Sequence, residues 1–248
     1  MKTDSIHLKD WQSVSDYIDN GFYIPAPSWF EHVIQSGSYY PRHAFSKGQL
    51  ASKSWLLEQL AGNTKPNATV AILGCWIGTL VEPLIHVIDP ERIYGFDQDA
   101  DAVSKSEKLN QKYVQAGWRY KGVVADVTQL DCADMQFETG GELISVKPDI
   151  IINTSCEHMN TDWFDSVAED QLIVMQTNDS KHYEGHINTS SSVEDMQSKY
   201  PLTNTLYSGE MVTPAYTRLM QIGYRWGRRS EPSVGASETK RLRGEVHS

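Results

Sequence analysis

Residues 69–79, Thr69-Val70-Ala71-Ile72-Leu73-Gly74-Cys75-Trp76-Ile77-Gly78-Thr79, pass from an unbroken apolar run into a turn flanked by two glycines. An apolar run of this length bounded by turn residues reads as a buried strand. Glycines at 74 and 78 let the backbone turn tightly and approach a ligand before a helix opens, predicted over 79–87. By itself this is only a strand, a turn and a helix.

The same pattern continues downstream. Strands are predicted at 92–96 (RIYGF), 123–124, 149–153 (DIIIN) and 172–176 (LIVMQ), with helices over 100–116 and 162–168. Strands alternating with helices imply right-handed crossovers and an α/β fold with a doubly wound, mainly parallel sheet. After Asn178 helical signals thin out, and 206–207 and 216–222 read as two closing strands, expected to be antiparallel at the sheet edge. Upstream, Leu50, Trp55, Leu56, Leu57 and Leu60 share one side of a helix over 49–60, which Gly62-Asn63 ends.

Three segments follow. Residues 1–48, rich in aromatics and including prolines 25, 27 and 41, are expected to form a cap over the strand ends, with Trp29, Tyr39 or Tyr40 at the entrance. Residues 49–225 form the main domain. Residues 226–248 form a basic tail, expected to be solvated.

Composition narrows the function. At 248 residues the chain suits one domain, and no apolar run approaches the roughly 18 residues of a membrane span. Met1-Lys2-Thr3-Asp4-Ser5 shows no leader pattern, so a soluble, cytoplasmic protein without a membrane partner is expected. Lys and Arg number 22 against 32 Asp and Glu, a net charge of −10 that disfavours a nucleic-acid partner. Cys75, Cys132 and Cys156 form no CxxC and are expected to be reduced and buried.

In such sheets ligands bind beyond the carboxyl ends of the strands, so the residues following each strand are decisive. Asp97 ends the second strand, 23 positions after Gly74, where an acid accepts ribose hydroxyls. Asp126 follows the third strand, where an acid can accept from an adenine amine. These residues, with the glycine turn and a fourth strand running from Pro148-Asp149 into Asn153-Thr154-Ser155-Cys156-Glu157-His158-Met159, make the chain similar to the class I S-adenosylmethionine-dependent methyltransferases. The resemblance covers about residues 49–222. It implies a seven-stranded sheet of that type and S-adenosylmethionine as cofactor. Gly74 and Gly78 would contact its methionine part, Asp97 its ribose and Asp126 its adenine. The chain departs from the family pattern in having Ile72 where an acid is common and Trp76 where a third glycine is common. Trp76 is therefore expected to stack on the cofactor or close its pocket, with Asn153 also lining the site. A nicotinamide dinucleotide fits less well, because the turn lacks the third, pyrophosphate-fitting glycine.

The polar segment after the fourth strand faces the position of the transferred methyl. Asn153 would orient an acceptor, and Glu157 and His158 would take its proton. Thr177-Asn178-Asp179-Ser180 would form the opposite wall. His182 and His186 have helical metal-ligand spacing, but Gly185 argues against a helix and the sequence offers no evident third ligand, so no metal is expected. Ser155 lacks a nucleophile elbow. The expected activity is methyl transfer to a small-molecule acceptor. Transfer of another part of the cofactor and a non-catalytic binding or structural module remain alternatives.

Overall fold

The structure, a computed structural model, describes residues 4–7 and 39–225. In chain order its regular elements are β1 (Asp4–His7), α1 (Lys47–Leu60), β2 (Thr69–Leu73), α2 (Val81–Ile88), β3 (Arg92–Asp97), α3 (Ala100–Leu109) and α4 (Gln111–Gln115). There follow β4 (Tyr120–Val124), β5 (Met135–Thr139), β6 (Glu142–Val146), β7 (Ile150–Asn153), α5 (Asp162–Asp165), β8 (Leu172–Asn178), α6 (Val193–Lys199), β9 (Asn204–Val212) and β10 (Thr217–Tyr224).

The main sheet has the order β1-β9-β10-β8-β7-β2-β3-β4. Seven of these strands are those of the expected mainly parallel sheet. The eighth, β1, pairs in parallel with β9 at the outer edge. Strand order reverses between β2, which continues outward to β3 and β4, and β7, which continues to β8. A crevice opens at this reversal, beyond the carboxyl ends of the strands.

Side-chain alternation divides the core into two layers. Val70 and Ile72 of β2, Ile150 and Ile152 of β7, and Leu172 and Val174 of β8 pack under Trp55, Leu56 and Leu60 of α1 and Val81 and Leu84 of α2. Their neighbours Ala71, Leu73, Ile151, Ile173 and Met175 face the other way, against Trp163 and Phe164 of α5, Met196 of α6 and Met135 and Phe137 of β5. The period of two explains why the central strands are apolar throughout: both of their faces are covered. All three cysteines are free and buried.

Several local expectations change. The helix predicted over 100–116 divides at Asn110, whose Nδ2 donates to the carbonyls of Gly78 at 3.0 Å and Ser106 at 2.9 Å. The helix predicted over 162–168 is a single turn, α5, closed by the Ser166 hydroxyl on the Trp163 carbonyl at 2.9 Å. The two closing strands are antiparallel, as expected: β10 opposes β8, and β9, antiparallel to β10, runs with the other strands. Of the expected cap, residues 4–7 lengthen the sheet instead, and residues 8–38, including Trp29, lie outside the described residues, as does the tail at 226–248.

Candidate active site

The glycine turn has an unusual backbone. Gly74 and Gly78 have φ of +63° and +71°, and Trp76 between them also lies in the left-handed region, at +49°. A tryptophan there is disfavoured by contact of its Cβ with the following carbonyl. Two contacts hold it. Its N–H donates to Asp97 Oδ2 at 2.7 Å, and its indole stacks on the His43 ring, with centroids 4.9 Å apart and planes 26° from parallel. The other Asp97 oxygen accepts the Asp99 N–H at 3.0 Å. Asp126 caps the 3-10 turn Val127–Gln129, Oδ1 accepting the Thr128 N–H at 3.0 Å.

Gly74, Trp76, Asp97 and Asp126 line a cavity of about 660 Å³ at the carboxyl edge of β2, β3, β4 and β7. Glu157 and His158 line its other end, joined by Gln49 and Lys53 of α1 and Arg218 of β10. The structure thus gathers six of the predicted site residues around one space. Two stand apart. Gly78 faces α3, where an added Cβ would sit 2.8 Å from Asn110 Nδ2 and 3.0 Å from Ser106 Cβ. Asn153 is fully buried beneath the loop, its Oδ1 accepting the Ser155 N–H at 2.9 Å and its Nδ2 directed at Met159 Sδ at 3.1 Å. Both are placed to shape the walls rather than to touch a ligand. Tyr40 packs with Ala44, Ile77 and Leu109 behind the turn, and the Tyr39 hydroxyl accepts from Lys108 at 2.9 Å; of this region it is His43 that lines the cavity.

The far end of the cavity is built on a buried ion pair. Arg218 Nη1 donates to Glu157 Oε1 at 2.8 Å, and Asn178 Nδ2 donates to the same oxygen at 2.6 Å. Arg218 Nε also donates to the Ser52 hydroxyl at 3.2 Å, which fixes α1 against β10. Burial opposes the guanidinium charge, but Glu157 outweighs it and raises the Arg218 pKa. Lys53 has no acid beside it among the described residues: its ammonium donates to Gln49 Oε1 at 2.8 Å. Burial first, then repulsion from Arg218, brings its pKa down to about 7. Burial, reinforced by the Asp97 charge, pushes the Cys75 thiol up to about 12, so this thiol beside the glycine turn stays protonated.

Lys53 and Arg218 were not read from the sequence. They lie inside a helix and a strand, and nothing in the local pattern separates them from surface cations.

No family model and no curated protein matches the chain. Solved structures do match in fold. Geranyl diphosphate C-methyltransferase from Streptomyces coelicolor A3(2), solved with Mg2+, geranyl diphosphate and S-adenosyl-L-homocysteine, aligns over 71% of this chain and 78% of its own, at 13% identity and a TM-score of 0.53. Magnesium protoporphyrin IX methyltransferase from Synechocystis PCC 6803, with bound S-adenosylhomocysteine, aligns over 86% of this chain and 97% of its own, at 16% identity and a TM-score of 0.51. Against a cyclopropane synthase from Mycobacterium tuberculosis, at 16% identity and a TM-score of 0.40, the chain spans 42% of the other's length. The fold is that of the class I S-adenosylmethionine-dependent methyltransferases.

Proposed function

We propose that this chain is an S-adenosylmethionine-dependent methyltransferase acting on a small-molecule acceptor. The observation that carries the reading is the shared cavity: Gly74, Asp97 and Asp126, from the carboxyl edges of β2, β3 and β4, line it together with Glu157, His158 and Arg218 from the β7 and β10 side. Its volume, about 660 Å³, is within the range of small-molecule sites.

Asp97 offers the ribose its remaining lone pairs, and Asp126 offers adenine its unengaged Oδ2. Trp76, already stacked on His43, closes the pocket. The Lys53 ammonium, without a carboxylate partner among the described residues and lying between the two ends near Arg218, receives the cofactor's methionine carboxylate; Ile72 stands where the usual acid would. At the acceptor end Glu157, held by Arg218, orients the acceptor. His158 takes the acceptor proton, while its Nδ1 holds the Gly185 carbonyl at 3.2 Å. In-line methyl transfer needs little more than an acceptor held behind the sulfonium and one general base.

Calorimetric titration with S-adenosylmethionine, followed by product analysis against a panel of metabolites, tests this. Saturable binding and S-adenosylhomocysteine release support methyl transfer. Methylthioadenosine indicates transfer of another group, and absence of cofactor binding overturns the proposal.

A further inference from the structure

Of the pair His182 and His186, only His186 joins a group of metal-capable side chains among the described residues, where it meets two residues from a different loop. One ligand atom from each of Glu157, His158 and His186 lies within 4.8 Å of the others. Glu157 arrives from the 3-10 turn Cys156–His158 after β7, and His186 from the loop between β8 and α6. The backbone fixes the meeting: the Glu157 carbonyl accepts the N–H groups of Ile187 at 2.9 Å and Asn188 at 3.0 Å. The His158 and His186 rings stand edge to face, centroids 4.6 Å apart.

Each of the three side chains is arranged as a ligand would be. His158 Nδ1 lies 3.2 Å from the Gly185 carbonyl and His186 Nδ1 lies 2.7 Å from that of Ser180. A carbonyl only accepts, so Nδ1 carries a proton in both rings, which leaves Nε2 as the nitrogen that could bind a metal. Glu157 is 3% exposed, and while its Oε1 takes Arg218 and Asn178, its Oε2 is buried with no hydrogen-bond partner among the described residues. A buried carboxylate oxygen left without a partner is costly unless something satisfies it, and two imidazoles stand in the same group of side chains.

We infer that Glu157, His158 and His186 bind a divalent transition-metal ion at the acceptor end of the cavity. Two imidazoles and one carboxylate suit zinc or ferrous iron, with open positions left for an exogenous ligand, whereas magnesium and calcium prefer all-oxygen sites. Glu157 and His158 line the cavity, so an open position is reachable from it. This deepens the methyltransferase reading and rests on it for the ion's use, not for its binding. An acceptor hydroxyl or thiol bound to the ion would lose its proton to solvent. Its oxygen or sulfur would then take the methyl as the sulfonium S–CH3 bond breaks, releasing S-adenosylhomocysteine. With the ion in place His158 acts as its ligand, and its role as base belongs to the ion-free site.

The test uses the untagged full chain, stripped with EDTA and titrated with Zn2+ by calorimetry, with S-adenosylmethionine titrated separately into the same samples. One Zn2+ per chain is expected. His158→Ala and His186→Ala should each weaken Zn2+ binding by about 100-fold or more while retaining the native circular dichroism spectrum, and His182→Ala should change nothing. No stoichiometric uptake, or uptake indifferent to His186→Ala, overturns the metal site. Zn2+ binding with no S-adenosylmethionine binding overturns the cofactor reading instead and leaves the metal site standing.

Discussion

The Asp97 carboxylate receives the Trp76 N–H at 2.7 Å, so the acid proposed to hold a ribose also holds the left-handed turn of the glycine loop. Loop shape and cofactor affinity therefore share one residue. Asp97→Ala should weaken S-adenosylmethionine binding by roughly 1.5–3 kcal/mol, the scale for hydrogen bonds to a charged group, and cost about 1 kcal/mol of stability through the lost Trp76 contact. Asp97→Asn keeps an acceptor for Trp76 and should recover stability more than affinity. Calorimetry and urea unfolding together check this; unchanged affinity in both variants would remove the cofactor assignment.

Trp76 itself separates strain from stacking. At φ of +49° glycine is unstrained and alanine is not, and both lose the His43 stack. Trp76→Gly should be more stable than Trp76→Ala by roughly 1 kcal/mol, the left-handed penalty reduced by glycine's greater freedom in the unfolded chain. Equal unfolding midpoints would mean that the loop relaxes out of the left-handed region.

Lys53 makes stability depend on pH. Its folded pKa of about 7 lies below its ordinary 10.5, so between those values the unfolded chain binds the extra proton. Ligand-free stability contributed by this group is thus full above the unfolded value, falls as pH drops through the interval and reaches its minimum near the folded value. Lys53→Met should flatten the rise between about pH 7 and 10. If a ligand carboxylate sits on the ammonium, cofactor binding at pH 8 takes up protons, visible as a binding enthalpy that changes with the buffer's ionisation enthalpy. A buffer-independent enthalpy counts against that contact.

The Arg218–Glu157 pair should behave as a buried ion pair. Removing one partner strands the other charge, so Arg218→Met and Glu157→Gln should each destabilise the protein by about 3–5 kcal/mol. The double variant should lose less than the two together, since neither charge is then left alone. Additive losses in a denaturation cycle would show that the two residues act independently.

Much of this was legible in the sequence, for identifiable reasons. Strands β2, β3, β7 and β8 are buried on both faces, so their apolar runs stand out, and Gly74, Asp97 and Asp126 follow directly from the strand ends. The β5–β6 hairpin was missed although it carries a signal: Gly140-Gly141 between Met135–Thr139, which alternates buried and exposed, and Glu142–Val146, whose alternation is broken by the exposed Leu143. Helix α6 was also missed, though Ser192 caps it by accepting the Asp195 N–H at 3.2 Å. Arg218 was illegible for another reason, as was the grouping of His186, which the sequence marks only by its spacing from His182. Their partners lie far along the chain, and only tertiary packing brings Ser52 to Arg218 or Glu157 to His186. Lys53 bonds Gln49 within its own helix, and only its burial sets it apart.

The reversed direction of β10 has a practical bearing on how the protein is handled. Arg218, near the start of the strand, pairs with Asn178 at the carboxyl end of β8, while Gly223 pairs with Ile173 near its beginning. The chain therefore enters β10 at the cavity edge and leaves it on the opposite edge of the sheet. An anchor or fluorophore attached at Arg225 sits away from the cavity mouth, so an immobilised sample would still receive its small molecules freely. The same attachment at Tyr216, one residue before the strand begins, would stand on the cavity's side of the sheet.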